Sequence, residues 1–175
     1  MDNEVELRRY RSGDLRAMFE LDVVCFAKPF RFAMRSMRSF VEARGAVVVI
    51  ASKRTEDAEI CGFVITHLVG RMGERRGYVV TLDVRPEMRR SGIATSMMDE
   101  AELLAGAAGA RKMALHVFAR NEGAIRFYER RGYEREGVQK DFYGSEGGVG
   151  FDALVYVKEL QVKELQAVRG IHGGV

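Results

Sequence analysis

The chain has 175 residues, 47% of them hydrophobic, and its 28 lysines and arginines exceed its 25 aspartates and glutamates by only three charges. That length supports a single domain with a sizeable core, and that balance excludes wholesale disorder. The longest apolar run, residues 46–51, is six residues against the ~20 of a membrane helix, and the opening MDNEVELRR lacks an apolar leader, so a cytoplasmic protein without a membrane partner is expected.

Val5 and Leu7 alternate in EVELRR and predict a strand. Ser12 or Asp14 then starts a helix with Leu15, Met18, Phe19, Val23 and Phe26 as its apolar face. Lys28, Pro29 and Phe30 break that pattern, and Met34, Met37, Phe40 and Val41 recur at the spacing of a short second helix. AVVVIAS, EICGFVITHLV and GYVVTLDV read as three strands of an antiparallel meander, joined by polar and Gly/Arg-rich stretches. From Gly92 the period becomes helical, with Ile93, Met97, Ala101, Leu104 and Ala105 on one face and Gly106 or Gly109 as the stop.

KMALHVF is strand-like, residues 122–131 are helical up to Gly132, and residues 133–143 and 151–158 form two last strands around GSEGGVG. The order β, αα, βββ, α, β, α, ββ predicts an α+β fold: a mixed, mostly antiparallel sheet with one parallel βαβ crossover and flanking helices, over residues 1–158. Residues 159–175 carry the near-repeat KELQV, KELQA and are expected as a short helix or a frayed tail.

Cys25 and Cys61 lack CxxC spacing and read as buried thiols, which gives no support to a zinc site or a redox pair, and no metal is expected. Arginines cluster at Arg75, Arg76, Arg85, Arg89 and Arg90 and again at Arg126, Arg130, Arg131 and Arg135. Such clusters serve nucleic acid, a small polyphosphate or a solvated face, and the surrounding motif has to decide. YVVTLDV runs into RPEMRRSGIATSMM, so Gly92 and Ala94 open a helix directly after a strand and a basic turn. First-turn N–H groups without intrahelical partners, the positive end of the helix dipole and the neighbouring Arg89 and Arg90 make this a cradle for a diphosphate. Neither GxxxxGK[ST] nor GxGxxG is present, against an ATP P-loop and a dinucleotide fold. The arginines also lack an RNA-type aromatic platform or a DNA-binding motif, so nucleic acid is not expected as a partner.

RRSGIA after a strand resembles the R/Q-x-x-G-x-G/A signature of the general-control N-acetyltransferase (GNAT) superfamily, and LHVFARNEGAIRFYERRGY is similar to its strand-Asn-helix-Tyr segment. The resemblance covers about residues 5–158, so that 1–158 is expected as a GNAT domain. Within the superfamily it runs to ribosomal-protein-alanine acetyltransferases and N-terminal protein acetyltransferases, through LHV-x(3)-N-x(2)-AI-x-FY, YVVTL and KDFYG. It implies acetyl-CoA as cosubstrate, held by Arg89, Arg90, Ser91, Gly92, Ile93, Ala94 and Thr95. Backbone groups of Leu82, Asp83 and Val84 would pair with the pantetheine as an added strand, one amide stabilising an oxyanion, with Asn121 and Tyr128 alongside.

By the same resemblance His116 is the general base, paired through water with Tyr78, and Tyr128 is the acid that protonates the departing thiolate. A histidine side chain, with reference pKa ~6.5, is mostly neutral at pH 7 to 8, as a base must be. His67 and His172 have no such context. Phe26, Pro29, Phe30, Phe142 and Tyr143 fall in loops that, by resemblance, wall the acceptor groove. Asp83 and the glycine-rich turn at 144–150 depart from the pattern.

The implied activity is direct acetyl transfer to a primary amine, foremost the α-amine of a protein or peptide N-terminus. A small-molecule amine acceptor and a non-catalytic acyl-CoA sensor stay open as alternatives, as do a monomer and a homodimer.

Overall fold

A computed structural model describes residues 4–160, apart from 56, 72, 73, 147 and 148. Strand β1 (Val5–Arg9) leads through a single 3-10 turn into α1 (Leu15–Cys25) and α2 (Met34–Glu42), followed by β2 (Ala46–Lys53), β3 (Ile60–Val69) and β4 (Arg76–Val84). Then come α3 (Ile93–Ala107), β5 (Lys112–Phe118), α4 (Glu122–Arg130), β6 (Glu134–Gln139), a two-residue hairpin of β7 (Ser145–Glu146) and β8 (Val149–Gly150), and β9 (Ala153–Glu159).

Seven strands form one sheet in the order β1-β2-β3-β4-β5-β9-β6. Among the described residues β4 with β5 is the one parallel pair, because α3 carries the chain back across the sheet between them. This is the expected α+β architecture. Helices cover both faces. On one, Met97, Met98, Ala101 and Ala105 of α3 and Tyr128 of α4 pack with Val49, Val64, Val79, Met113 and Leu115. On the other, Met18 and Leu21 of α1 and Met37 and Val41 of α2 pack with Ile50, Phe63 and Ile65. No helix among the described residues is long and apolar enough to cross a membrane.

Four expectations need correction. Val23 is 37% exposed; Leu15 and Met18 are buried as expected, and the stripe of α1 is completed by Leu21 and Asp22, which puts a carboxylate among the apolar residues. The strand expected over 133–143 stops at Gln139, because Asp141 turns the chain with φ 54° and donates its backbone N–H to Asp152 Oδ1 at 3.0 Å. The returning strand begins at Ala153, two residues later than expected, after the separate β7–β8 hairpin. At its far end β9 reaches Glu159, and the buried Leu160 donates its backbone N–H to the carbonyl of Arg111 at 2.8 Å, so the folded unit continues past 158. The rest of the expected tail, with His172, lies outside the described residues.

Candidate active site

Strands β4 and β5 pair only from Arg76 with Lys112 to Val79 with Leu115, and beyond that point they separate. A bulge starts the separation: Ile65 faces Thr81 while Thr66 faces Val79, so Val80 is one residue too many in β4 and bends that strand. The result is a cavity of about 640 Å3 between the strands, into which residues 26, 78–82, 116–118, 121, 128, 142 and 143 converge from distant parts of the chain. Past Val79 the edge of β4 that faced β5 has no strand beside it among the described residues, as an extended ligand that adds to a sheet requires. Leu82 lines the cavity, whereas Asp83 and Val84 are buried. The carbonyl of Val84 is already taken by Arg89 Nε at 3.1 Å and by the Cys25 thiol at 3.3 Å, which withdraws it from the open edge.

The cradle is built from backbone. Gly92 caps α3 with φ 88°, a left-handed conformation that favours glycine, and a side chain added there would meet nothing within 4 Å. Ser96 is the first residue of the helix whose N–H finds a helical carbonyl, that of Gly92 at 3.0 Å, and no side chain among the described residues caps the helix. The N–H groups of Ile93, Ala94 and Thr95 are therefore left for an outside acceptor, and open space lies in front of them. Ile93 is buried and offers only its backbone, while the Ser91 hydroxyl turns away to the carbonyl of Met88 at 2.7 Å. Arg90, also at positive φ (66°), and Arg89 are exposed beside the turn. These features fit a diphosphate.

The start of α4 is different, because Asn121 caps its own helix: its Oδ1 accepts the N–H of Ala124 at 3.1 Å. Two turns further, Tyr128 is buried yet reaches the cavity, and its hydroxyl makes no hydrogen bond among the described residues. Burial pushes this phenol well above its ordinary pKa, so it holds its proton throughout the neutral range.

On the opposite wall, the alternation of β5 buries Met113, Leu115 and Val117 and leaves His116 and Phe118 half-buried, while residues 115–118 all line the cavity. Tyr78 Oη lies 3.0 Å from His116 Nδ1, a direct contact with no room for the intervening water that the resemblance implied. Burial raises the Tyr78 phenol, which keeps it a proton donor at neutral pH. Phe142 stacks flat on the His116 ring at 4.1 Å, and the Tyr143 hydroxyl donates to the backbone carbonyl of His116 at 3.2 Å. Phe30 packs on Phe118 at 4.6 Å, Tyr143 at 5.3 Å and Phe151 at 5.5 Å, so the α1–α2 loop is sealed onto the segment after β6 by aromatic contacts. Phe26, at the end of α1, is half-buried, and Pro29 is exposed at the rim.

Asp83 sits at the seam between these two walls. It is 1% exposed, accepts a hydrogen bond from Thr81 Oγ1 at 2.6 Å through Oδ1, and leaves Oδ2 without a partner. Asp22 on α1 is equally buried; its Oδ2 accepts the N–H of Phe32 at 2.9 Å and anchors the acceptor loop, while its Oδ1 is also unpartnered. Burial raises both carboxyls, Asp83 far above the usual range and against the pull of Thr81, and the negative field of Asp22 adds to the effect at Asp83.

Among the residues of the cavity region that the sequence reading did not place in the site, three make contacts that shape it. His67 lines the cavity and hydrogen-bonds the carbonyl of Phe40 at 2.8 Å through Nε2; it is the cross-strand partner of Tyr78, so pairing β3 with β4 on paper would have found it. Phe151 completes the aromatic seal, and Gln139 hydrogen-bonds His116 Nε2 at 2.9 Å. Neither lies in a motif.

The chain is 27% identical over 154 residues to an uncharacterized N-acetyltransferase of Methanocaldococcus jannaschii, a match covering 87% of this chain and 90% of that one. It is 25% identical over 128 residues to the N-terminal acetyltransferase B complex catalytic subunit naa20 of Schizosaccharomyces pombe, covering 73% and 70%. Its fold is similar to that of NAA60 of Arabidopsis thaliana, solved in complex with acetyl-CoA, with a TM-score of 0.77, 24% identity, and 89% and 98% of the two chains covered. The model of the acetyltransferase (GNAT) family matches residues 15–133, more than half of the sequence, and this chain therefore belongs to that family as an acetyl-CoA-dependent N-acetyltransferase.

Proposed function

We propose that the acceptor is the α-amine of a protein or peptide N-terminus. The observation that carries this reading is the lining of the acceptor wall. Around the Tyr78–His116 pair the cavity is aromatic, its basic side chains are Arg31, His67 and His116, and no aspartate or glutamate lines it among the described residues. A polyamine or aminosugar acceptor brings several ammonium groups and calls for carboxylates to receive them, whereas a peptide end brings one amine and then amides and side chains. The relatives named for N-terminal acetylation support the same reading. At pH 7 an α-amine with pKa ~8 is neutral a few hundred-fold more often than a lysine with pKa ~10.4, which suits a base no stronger than histidine.

Acetyl-CoA supplies the thioester that the amine attacks and a thiolate that departs. Arg89, Arg90 and the first-turn N–H groups of α3 hold its diphosphate, and the open edge of β4 orients the acyl arm. Tyr78 and His116 take the proton of the acceptor, and Tyr128, whose burial keeps it protonated, gives one to the departing sulfur. The test is acetyl-CoA turnover against peptides varied at their first residues, beside a panel of free small amines. Peptides with free N-termini should be acetylated with kcat/KM at least ~10-fold above any small amine, and the reverse order would overturn the reading.

A further inference from the structure

We propose that Gln139 is a positioning residue that fixes His116 in the tautomer carrying its proton on Nε2, so that the vacant Nδ1 receives the proton of Tyr78. A carboxamide oxygen can only accept, and Gln139 Oε1 stands 2.9 Å from Nε2, so that nitrogen carries the hydrogen. The lone pair of a neutral ring then lies on Nδ1, where the Tyr78 hydroxyl is 3.0 Å away. The groups facing the ring are Tyr78 from β4, Gln139 from β6, Phe142 stacked on it, and Val155, its cross-strand partner on β9. Tyr143 reaches the backbone carbonyl of the same residue.

Gln139 is delivered to this face by a bulge. In β6 Arg135 pairs with Tyr156 and Gly137 with Val155, so Glu136 is an extra residue. Gly137, Val155 and His116 therefore form one row across β6, β9 and β5, and Gln139, two residues after Gly137, projects from the same face. Without the extra residue every side chain after it would change face and Gln139 would point away from His116.

The proton path balances. As the amine nitrogen bonds to the acetyl carbon, its proton passes to Tyr78 Oη while the original Tyr78 proton passes to His116 Nδ1. This leaves a neutral phenol and an imidazolium whose Nε2–H remains on Gln139. The imidazolium then loses a proton to water.

This inference rests on His116 as the base of the proposed reaction, but its main readout needs no acceptor. In 15N-histidine-labelled protein at pH 8, long-range 1H–15N spectra should show His116 as the Nε2–H tautomer. Gln139→Leu should give a mixture of tautomers and lower kcat by about 3- to 10-fold, the scale of one net hydrogen bond, with KM for acetyl-CoA unchanged. Gln139→Glu keeps the acceptor, so it should restore the Nε2–H tautomer and most of kcat, and it should move the acid limb of the pH–rate profile upward because a carboxylate favours the imidazolium. An Nδ1–H tautomer in the wild-type protein, or a tautomer and pH profile unaltered in both variants, would overturn the assignment. The wild-type and Gln139→Glu spectra decide the matter even if Gln139→Leu does not fold. A wild-type Nε2–H tautomer in an enzyme that ignores N-terminal peptides would leave this inference standing and remove the acceptor proposal.

Discussion

The two walls of the cavity are made in different ways. On the wall proposed for the cofactor the available groups are main-chain N–H groups at the start of α3, exposed by the left-handed Gly92 and left free because no side chain among the described residues caps the helix. On the acceptor wall they are side chains, Tyr78, His116 and Gln139, held by rings from the α1–α2 loop and from the segment after β6. A backbone cradle is specified by a few adjacent residues and stays the same whatever the acceptor, whereas a side-chain wall can be rebuilt one residue at a time to suit a new acceptor. The division predicts that the two functions can be damaged separately.

The largest effect should come from the acceptor wall. His116→Ala should lower kcat by ~10²-fold or more, the usual scale for losing a general base, while acetyl-CoA affinity measured by calorimetry stays at the wild-type value. A parallel loss of affinity would mean that the walls are not independent. Gly92→Val should do the opposite and weaken acetyl-CoA about 10-fold or more, because a β-branched residue is strained at φ 88° and its methyl groups occupy the space before the first-turn N–H groups. Unchanged affinity would remove the cradle.

Tyr128→Phe sharpens the boundary between the walls. It should reduce kcat by roughly 10-fold with acetyl-CoA binding intact, less than the ~10²-fold usual for a positioned acid because a thiolate, whose thiol has a reference pKa of ~8.5, departs readily on its own. Because burial raises this phenol, the wild-type rate should show no alkaline fall from Tyr128 below about pH 10. Wild-type turnover in this variant would make the residue a core aromatic.

The smallest effect concerns the seam. Asp83 and Asp22 hold their protons more tightly in the folded protein than in the unfolded chain, where such a group titrates near 3.8. Their contribution to stability is therefore complete below that pH and is lost as the pH rises toward the folded values. Asp83→Asn should raise the thermal midpoint at pH 7 to 8 and flatten its decline above pH 4, with kcat little changed. A midpoint lowered equally at pH 4 and pH 8 would show that folding does not shift this carboxyl, and one lowered more at pH 8 that it is ionised in the fold.

The same division explains what was legible in the sequence. Each element with a clear period or stop was readable, as with α3 from Gly92 to the left-handed Gly109 and the alternation of β5. The left-handed glycine that opens α3 was readable too, because its neighbours are adjacent in RRSGIA. Of the cavity lining, only residues carried by a motif were legible as neighbours, as for His116 and Tyr128. His67 and Gln139 meet the site through strand pairing and a bulge, and Phe151 through ring contacts made from between β8 and β9, which depend on register and packing between segments far apart in the chain. The buried Asp22 broke the apolar pattern of α1 for a related reason: its partner is a backbone N–H in a loop, that of Phe32.

The central claim is that this cavity acetylates an α-amine. Its most direct test is to localise the acetyl group by fragment mass spectrometry in a peptide that offers both a free N-terminus and an internal lysine. The account predicts acetyl-CoA-dependent modification at the N-terminal nitrogen, lost in His116→Ala. Modification on the lysine, or a peptide left untouched while a small amine is acetylated, would contradict it.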